Sequence, residues 1–333
     1  MREILVVDDN ESSLQQIRSL LQGTYNFSLV TSGKQALSIC AMEHPDLVLL
    51  DIEMPEMDGF AVIDVLRQTP ELSRIPVIFL TANQDVATEA RGLKAGARDF
   101  IKKPVEKDIL LHRLEIHLNI TSYQDYLLNS VESLANNLAI CISDLIECRD
   151  KNTGGHVVRT KKYVDLIGKE LISNGVFADE LSSFSLEMIV RASPLHDIGK
   201  IGIPDKILLK PARLDDEEFA VMKKHTIIGD QILESMYRRT PTQAYLGYAR
   251  MIAASHHERY DGKGYPSGLA GNDIPLCGRI MAVADVYDAI VDDRVYRKGM
   301  SHTEAFRIIM EGYGTQFDPY VVKAFENCRH EFL

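Results

Sequence analysis

The adjacent pair His196 and Asp197 is the part of this 333-residue chain that most directly suggests chemistry. Both side chains can bind a metal ion, and the two oxygens of the carboxylate are enough to bridge two ions. Imidazole nitrogen and carboxylate oxygen suit iron, manganese, zinc or nickel. Further candidate ligands lie on either side of the pair: His156, His225, His256, His257 and Asp285. Two ions ~3.5–4 Å apart would form a clamp for phosphoester hydrolysis. The competing interpretation is a scatter of unrelated surface and core histidines.

A glycine-containing segment directly follows two of these candidate ligands. Gly262, Gly264 and Pro266 stand close together after His256 and His257. Such a concentration of glycine and proline indicates a tight, specially shaped loop. We therefore expect this loop at the rim of the metal site.

Residues 145 to 330 resemble an HD-GYP domain, the family of cyclic-di-GMP phosphodiesterases within the HD metal-dependent phosphohydrolases. The resemblance is carried by several motifs in a fixed order. They are Arg149-Asp150, Thr153-Gly154-Gly155-His156, His196-Asp197-Ile198-Gly199-Lys200, Gly264-Tyr265-Pro266, Asp285-Val286-Tyr287-Asp288-Ala289 and Phe317-Asp318-Pro319.

The resemblance implies a centre of two divalent metals, with iron or manganese expected first and zinc, nickel or cobalt as alternatives. One ion would be held by His156, His196, Asp197 and Asp285. The second would be held by Asp197, His225, His256 and His257, so that Asp197 bridges the two. Water between the ions would be acidified and attack phosphorus.

Lys200 follows Asp197 by three residues, so both side chains would face the same way on a helix. It is a candidate catalytic residue that clamps a phosphate and stabilises the transition state; the alternative is a solvated surface lysine. The resemblance also assigns substrate contacts to Lys200, Arg294, Arg297, Gly264, Tyr265 and Pro266. Surface ion pairing is the alternative for the two arginines.

One position departs from part of the family. Some members carry a glutamate four residues before the first histidine and bind a third metal, whereas this chain has Asn152. We therefore expect two metals, and the product stays open between pGpG and GMP. Two alternative functions also stay open. The chain could hydrolyse another cyclic dinucleotide, such as cyclic GMP-AMP, or it could be a catalytically weak adaptor that binds partner proteins.

The first 120 residues alternate strand and helix patterns. Short apolar runs at 4–7, 46–50, 76–80 and 99–101 are typical of buried strands, with amphipathic stretches between them. This alternation predicts a parallel sheet covered by helices on both faces. Ligands bind at the carboxyl ends of such strands. The polar residues at those ends are Asp8, Asp9, Asp51, Thr81 and Lys103. Three converging carboxylates predict a Mg²⁺ site.

This half of the chain resembles a response-regulator receiver domain of the CheY-like type. The resemblance implies that Asp51 accepts a phosphoryl group from a cognate histidine kinase. Asp8 and Asp9 would help to hold Mg²⁺, while Thr81 and Lys103 would contact the phosphoryl oxygens. Phe100 would be the aromatic switch that changes rotamer.

A long helix without proline or glycine is predicted from 112 to 148. Apolar residues recur in it at alternating spacings of four and three, the pattern of a two-stranded coiled coil. They are Leu127, Val131, Leu134, Leu138, Cys141 and Leu145. We expect a parallel homodimer through residues 120–146. The alternative is that the stripe packs on the C-terminal domain of its own chain.

The predicted protein is therefore multidomain: a doubly wound α/β receiver (1–120), a coiled-coil linker (121–146) and an all-α HD-type helical bundle (147–333). Helical periodicity in the last part falls at 157–171, 186–196, 215–234, 244–257, 279–289 and 302–312. GGDEF-type or other signalling proteins are candidate partners.

Composition is consistent with a cytoplasmic enzyme. No apolar run approaches the ~20 residues that span a bilayer, and the N-terminus has no signal-peptide pattern. Five widely spaced cysteines predict reduced thiols. The net charge of −11 gives no support for DNA binding, and no basic recognition helix is evident.

Overall fold

The computed structural model describes residues 2–82, 86–149, 155–292 and 298–332. The chain divides into two compact units, Met1–Val131 and Glu132–Leu333. The helix Lys107–Arg149 contributes residues to both units. We describe each unit by itself.

The first unit contains a five-stranded parallel sheet, which confirms the predicted α/β fold. Its strands are β1 (Glu3–Val7), β2 (Asn26–Val30), β3 (Leu47–Asp51), β4 (Val77–Thr81) and β5 (Asp99–Lys102). The strand order is β2-β1-β3-β4-β5. The helices of this unit are α1 (Glu11–Leu21), α2 (Gly33–Glu43), α3 (Gly59–Gln68), α4 (Val86–Lys94) and α5 (Lys107–Arg149). Four of the strands match the predicted apolar runs, and β2 was not predicted.

Helices cover both faces of this sheet. Leu5 and Val7 of β1 join a core with residues of α2 and α3, whereas Ile4 and Val6 join a second core with residues of α1 and α5. Successive strand residues point to opposite faces, so burial on both sides requires a continuous apolar run. The parallel arrangement brings the carboxyl ends of β1, β3, β4 and β5 to one edge of the sheet.

The second unit is helical, as predicted. After the end of α5 it contains α6 (His156–Ser173), α7 (Ser183–Ala192), α8 (Asp205–Leu208), α9 (Asp216–Met222), α10 (Lys224–Arg239), α11 (Ala244–Ser255), α12 (Leu276–Val291), α13 (His302–Glu311) and α14 (Pro319–Asn327). A single apolar core joins α6, α7, α11, α12 and α14.

Two of the predicted helices are interrupted. The helix predicted at 186–196 ends at Ala192, and a 3₁₀ turn at Ser193–Leu195 follows. Pro194 lies in this turn, and a proline inside an α-helix removes a backbone hydrogen bond and clashes with the preceding turn. The helix predicted at 215–234 is divided at Lys223. There the backbone N–H of Thr226 bonds to the Lys223 carbonyl in a tighter turn.

The predicted long helix agrees with α5, which extends to 43 residues. Within the described parts of the chain, no helix has the length and apolar character needed to span a membrane.

Candidate metal centre and phosphoacceptor site

The helical unit gathers all seven candidate metal ligands into two adjoining groups. Within each group, one potential ligand atom per residue lies within 4.8 Å of the others. One group contains His156, His196 and Asp285, and the other contains Asp197, His225, His256 and His257. The ligands come from the first turns of α6 and α10, the end of α11, the middle of α12 and the turn between Ser193–Leu195 and Ile198–Gly202.

The Asp197 carboxylate faces both groups. Its Oδ2 atom lies 3.4 Å from His196 Nε2. Its Oδ1 atom lies 3.3 Å from His225 Nε2 and 3.6 Å from His256 Nε2. One side chain thus presents a different oxygen to each group, which is the geometry that a bridging ligand requires.

The remaining ligands of the first group are equally close. His156 Nε2 lies 3.5 Å from His196 Nε2 and 3.5 Å from Asp285 Oδ1. Two ligands that are each about 2.0–2.2 Å from a shared ion lie roughly 3–4 Å apart. The spacing of these atoms therefore suits a single ion.

Four of the five histidines direct the same ring nitrogen into the site. In each, Nδ1 lies 2.8–3.0 Å from a fixed acceptor, so Nδ1 carries the proton and Nε2 faces the other ligands. The acceptors are Asp288 Oδ2 for His156, and the backbone carbonyls of Ser193 for His196, Met222 for His225 and Ile252 for His256. Such bonds fix the tautomer and the ring orientation of metal-binding histidines.

The electrostatics of the two groups differ. Burial lowers the pKa of His225 to about 4 and that of His257 well below its ordinary value. Both rings are therefore neutral near pH 7, the form that binds metals. Burial also disfavours the charged form of His196, but Asp197 and Asp285 raise its pKa to about 9. A proton then occupies a position that a metal cation would take, and metal binding would release it.

Several buried atoms of the site have no hydrogen-bond partner among the described residues. They are Asp197 Oδ1, His225 Nε2 and His256 Nε2, all in the second group. Unsatisfied buried polar atoms cost about 1–3 kcal/mol each and are rare in folded proteins. A divalent cation would satisfy all three atoms at once, so the residues present fit a metal-bound centre.

Lys200 lies beside the shared carboxylate. Its Nζ atom is 2.8 Å from Asp197 Oδ2, in agreement with the predicted common face. Burial alone would raise the pKa of Asp197, but the charges of Lys200 and His196 outweigh the effect of burial and lower this pKa well below its ordinary value.

Gly199 allows the segment after Asp197 to approach α10 closely. A Cβ atom at Gly199 would lie 1.9 Å from the His225 carbonyl oxygen, so no larger residue fits there.

The predicted loop does lie at the rim of the site. The Tyr265 ring is 4.8 Å from the His257 ring. Gly264 has no room for a side chain, since a Cβ atom would lie 2.3 Å from the backbone nitrogen of Arg259. Pro266 follows and is half-buried. Gly264 and Tyr265 line a cleft that also includes Phe219, His257, Arg259 and Lys263. The cleft therefore carries two aromatic rings, the exposed Lys263, and Arg259, whose guanidinium pairs with Asp261 at 3.0 Å.

Two functional candidates were missed by sequence reasoning. Asp288 is fully buried, orients His156 as described above and accepts a hydrogen bond from Arg159 Nε at 2.7 Å. The second is Glu147, whose Oε1 atom lies 3.4 Å from His156 Nε2. Burial raises the pKa of Glu147. The three-residue spacing from Asp285 to Asp288 on α12 was a usable signal for the first. No sequence signal indicated the second.

Six residues named from the sequence lie outside the described residues. They are Asp150, Asn152, Thr153, Gly154, Arg294 and Arg297.

The second candidate site lies at the carboxyl edge of the sheet. Asp8, Asp9 and Asp51 form a third group of potential ligands. Asp8 and Asp51 are buried, and Asp9 is exposed. Lys103 Nζ lies 2.7 Å from both Asp8 Oδ2 and Asp51 Oδ2. Burial raises the pKa of Asp51 even though Lys103 opposes the change.

The other predicted residues of this site are close to it in the fold. Thr81 is buried at the end of β4. The Phe100 ring of β5 lies 5.6 Å from the Phe79 ring. It also lies against Gly92, where a Cβ atom would be 2.4 Å from Phe100. Phe100 is therefore packed inward, against α4.

Comparison with known proteins agrees with both halves of the chain. The response regulator receiver domain model matches residues 4–115, and the HD domain model matches residues 141–321. A probable cyclic di-GMP phosphodiesterase of Vibrio cholerae is 41% identical over 97% of this chain and 76% of its own length. A cyclic di-GMP phosphodiesterase response regulator of Xanthomonas campestris is 34% identical over 96% of this chain and 86% of its own length.

A 3'3'-cGAMP-specific phosphodiesterase of Vibrio cholerae is 35% identical over 67% of this chain and 40% of its own length. The chain therefore belongs to the family of response regulators whose output domain is an HD-type phosphodiesterase.

Proposed function

We propose that the helical unit hydrolyses the 3'-5' phosphodiester bonds of cyclic di-GMP, to pGpG or GMP, with two divalent metals. The observation that carries this proposal is the Asp197 carboxylate, which faces His196 with one oxygen and His225 and His256 with the other. The names of the relatives support the substrate.

Each group of ligands would hold one ion, iron or manganese before zinc, nickel or cobalt. When bound, the two ions supply an acidified water and polarise the phosphodiester. Asp197 would hold both, and the fixed Nδ1 bonds of the histidines keep the Nε2 lone pairs in place. The neutral state of His225 and His257 favours binding, because no proton has to leave these rings.

Lys200 would stabilise the phosphorane-like charge that develops during attack. Its ammonium group lies against Asp197 and is largely shielded from water, with a side chain 17% exposed. A cation placed in a region of low dielectric acts strongly on nearby charge. Arg259 and Lys263 line the adjoining cleft and would hold the non-reacting phosphate, while Phe219 and Tyr265 offer rings to a base.

A second substrate is favoured by one specific observation. The similarity to a 3'3'-cGAMP-specific phosphodiesterase extends over two thirds of the chain. The metal centre would be the same for both dinucleotides, so discrimination would depend on the cleft beside Tyr265. Both substrates therefore belong in one assay.

The deciding experiment is turnover by the full chain after anaerobic loading with Mn²⁺ or Fe²⁺. Cyclic di-GMP and 3'3'-cGAMP are compared side by side. His256→Ala should abolish hydrolysis, whereas His330→Ala, an exposed histidine outside both groups, should retain it. A protein that binds two ions yet cleaves neither dinucleotide would contradict the proposal and favour a signalling adaptor.

The first unit would act as the phosphorylated receiver. A histidine kinase would transfer a phosphoryl group to Asp51, with Mg²⁺ held by Asp8, Asp9 and Asp51. Lys103 would pair with the phosphoryl oxygens, and Thr81 would contact them. Phe100 would be the switch, and rotation of its ring away from Gly92, against which it packs, would signal the change.

The exposed stripe of α5 would join two chains in a parallel dimer. Its apolar residues are unusually exposed for their type: Val131 is 65% exposed, Leu134 60%, and Leu138 53%. Exposed leucines at heptad spacing suit a two-stranded coiled coil. They also argue against the alternative that this stripe packs within its own chain.

The dimer is tested by replacing both Leu134 and Leu138 with Glu. Like charges across the seam should give a monomer in light scattering, while the wild type should be a dimer. In the control variant, Asn129 and Asn136 are both replaced with Glu. These two residues lie on the same helix but outside the seam, so the dimer should remain intact. A monomeric wild type at high concentration, with and without phosphorylation, would contradict the proposal.

A further inference from the structure

The last turn of α5 carries a carboxylate that faces the metal centre. Glu147 is only 3% exposed, although its neighbour Leu145 on the same helix is 70% exposed. Burying an ionised carboxylate is costly unless it is paired or coordinates a metal. The placement of Glu147 therefore needs a partner that offsets this cost.

The contacts of Glu147 point to the first group of ligands. Its Oε1 atom lies 3.4 Å from His156 Nε2. The same nitrogen is 3.5 Å from His196 Nε2 and 3.5 Å from Asp285 Oδ1. Three potential ligand atoms thus surround His156 Nε2 at almost equal distances. The other oxygen, Oε2, is buried and has no hydrogen-bond partner in the described segments.

We propose that Glu147 is a metal ligand, which joins the ion held by His156, His196 and Asp285. The inference rests on the proposed metal centre and extends it by one carboxylate. A carboxylate oxygen is an ordinary partner for iron, manganese and zinc. The ligand adds negative charge to the smaller of the two groups, which has three members against four. It would also satisfy the orphaned Oε2 atom.

The assignment makes the end of α5 part of the centre. Arg149, two residues after Glu147, donates hydrogen bonds to the carbonyl oxygens of Lys200 at 3.2 Å, Ile201 at 3.0 Å and Ile203 at 2.8 Å. One helical turn therefore contacts a metal ligand through Glu147 and the backbone beside Lys200 through Arg149. A shift of this turn along the helix axis would alter both the ion and the catalytic lysine.

The test measures metal affinity in the full chain, not turnover. Wild type and Glu147→Gln are loaded with Mn²⁺ alone, and the affinity of each site is obtained by chelator competition with elemental analysis. Glutamine keeps the size but removes the charge. We expect the affinity of one of the two sites to fall at least ~10-fold and the other to change less. Glu147→Asp, which keeps the carboxylate on a shorter side chain, should retain part of the lost affinity.

Asp144→Asn is the matched control. Asp144 lies on the same helix and also has a buried oxygen, Oδ1, without a partner in the described chain, but the contact with His156 Nε2 is made by Glu147. Its substitution should leave both affinities unchanged. An equal loss in Asp144→Asn would mean that the end of α5 acts through folding, and would overturn the assignment of Glu147.

Other outcomes separate this inference from the proposed function. Unchanged or tighter Mn²⁺ binding in Glu147→Gln would show that Glu147 only pairs with His156, and the inference would fail while the metal centre stands. A wild type that binds no pair of ions would overturn both. If Glu147→Gln does not fold, anomalous diffraction of the Mn²⁺-loaded wild type decides. A Glu147 oxygen within about 2.5 Å of an ion supports the ligand, and one beyond coordination distance overturns it.

Discussion

The two acidic sites of this protein satisfy their buried carboxylates in different ways. In the receiver, Lys103 Nζ lies 2.7 Å from both Asp8 and Asp51, so a cation from the chain itself is already present. In the helical unit, Lys200 meets only one oxygen of Asp197, and the other oxygen has no hydrogen-bond partner among the described residues. The receiver carboxylates are therefore already paired with a cation of the chain, whereas the helical site has a buried carboxylate oxygen that a metal ion could satisfy.

This difference follows from the tasks that the two sites are proposed to perform. A phosphoacceptor must exist in two states, and Lys103 can stabilise the unphosphorylated one. Burial would lower the pKa of Lys103, but its bonds to Asp51 and Asp8 raise it, so the ammonium remains charged at neutral pH. A hydrolytic centre must keep its geometry through every turnover. Rings fixed through Nδ1 serve that purpose.

The strongest test of this comparison is Asp197→Asn. Loss of one charge at the shared ligand should remove or greatly weaken both ions, and turnover should fall at least ~10³-fold. Elemental analysis and turnover of the same preparation provide the measurement. The corresponding change in the receiver, Asp51→Asn, should leave the metal content of the helical unit unaltered. Two fully occupied sites in Asp197→Asn would end the description of Asp197 as a bridge.

The sequence alone identified the residues that the fold brings together into the candidate ligand groups, and the reason is physical. His196 and Asp197 can be recognised because metal binding demands particular residue types, and the motif around them is short and local. The same holds for Asp51 and Lys103, which follow buried strands. Side chains that bind ions or phosphoryl groups must have the right chemistry wherever the chain folds, so their identity is visible before the fold is known.

The sequence did not reveal residues whose candidate role depends on contacts that only the tertiary fold creates. Glu147 was assigned no role from the sequence, because only the fold brings it to His156. Strand β2 was missed because Asn26 and Ser28 interrupt its apolar residues, as is usual for an edge strand with one partner. The break before His196 is different, since Pro194 was present in the sequence as a helix-ending signal.

A second test concerns Lys200, whose positive charge is proposed to stabilise the transition state and not to help bind a metal ion. Lys200→Met should retain both ions and lower kcat by roughly 10²-fold, because a stabilising cation is lost from the transition state. Lys206→Met, an exposed lysine on α8, serves as the control and should behave as the wild type. Steady-state kinetics and metal content are measured together. A loss of metal in Lys200→Met would place Lys200 among the groups that hold the centre together.

A third test asks how much the orientation of a ligand contributes. Asp288→Asn weakens the acceptor of the His156 Nδ1 proton, so metal affinity should fall ~10–100-fold. Asp292→Asn is a close control, because Asp292 pairs with the same Arg159, at 2.9 Å, but is not the acceptor for His156. Chelator competition on both variants gives the comparison. Equal affinities would mean that the His156 ring is held by packing alone.

The last test connects the two sites, and its expected effect is the smallest. Phosphorylation of Asp51 adds negative charge beside Lys103, which can then leave Asp8 or follow the phosphoryl group. Phe100 packs against Phe79 and Gly92, and a change of its rotamer would be the proposed switch. Helix α5 begins at Lys107, soon after Lys103, and its final turn carries Glu147 and Arg149. Because α5 contributes residues to both units, the proposed coupling would run along this helix.

We therefore expect beryllofluoride, a phosphoryl mimic, to raise turnover of the wild type about fivefold, near the lower end of allosteric couplings. Asp51→Ala should keep both ions and the basal rate but lose the response. Asp64→Ala, an exposed carboxylate on α3, should respond as the wild type does. Turnover is compared with and without the mimic at saturating metal. If Asp51→Ala responds as strongly as the wild type, control does not pass through Asp51, and the receiver would serve in assembly instead.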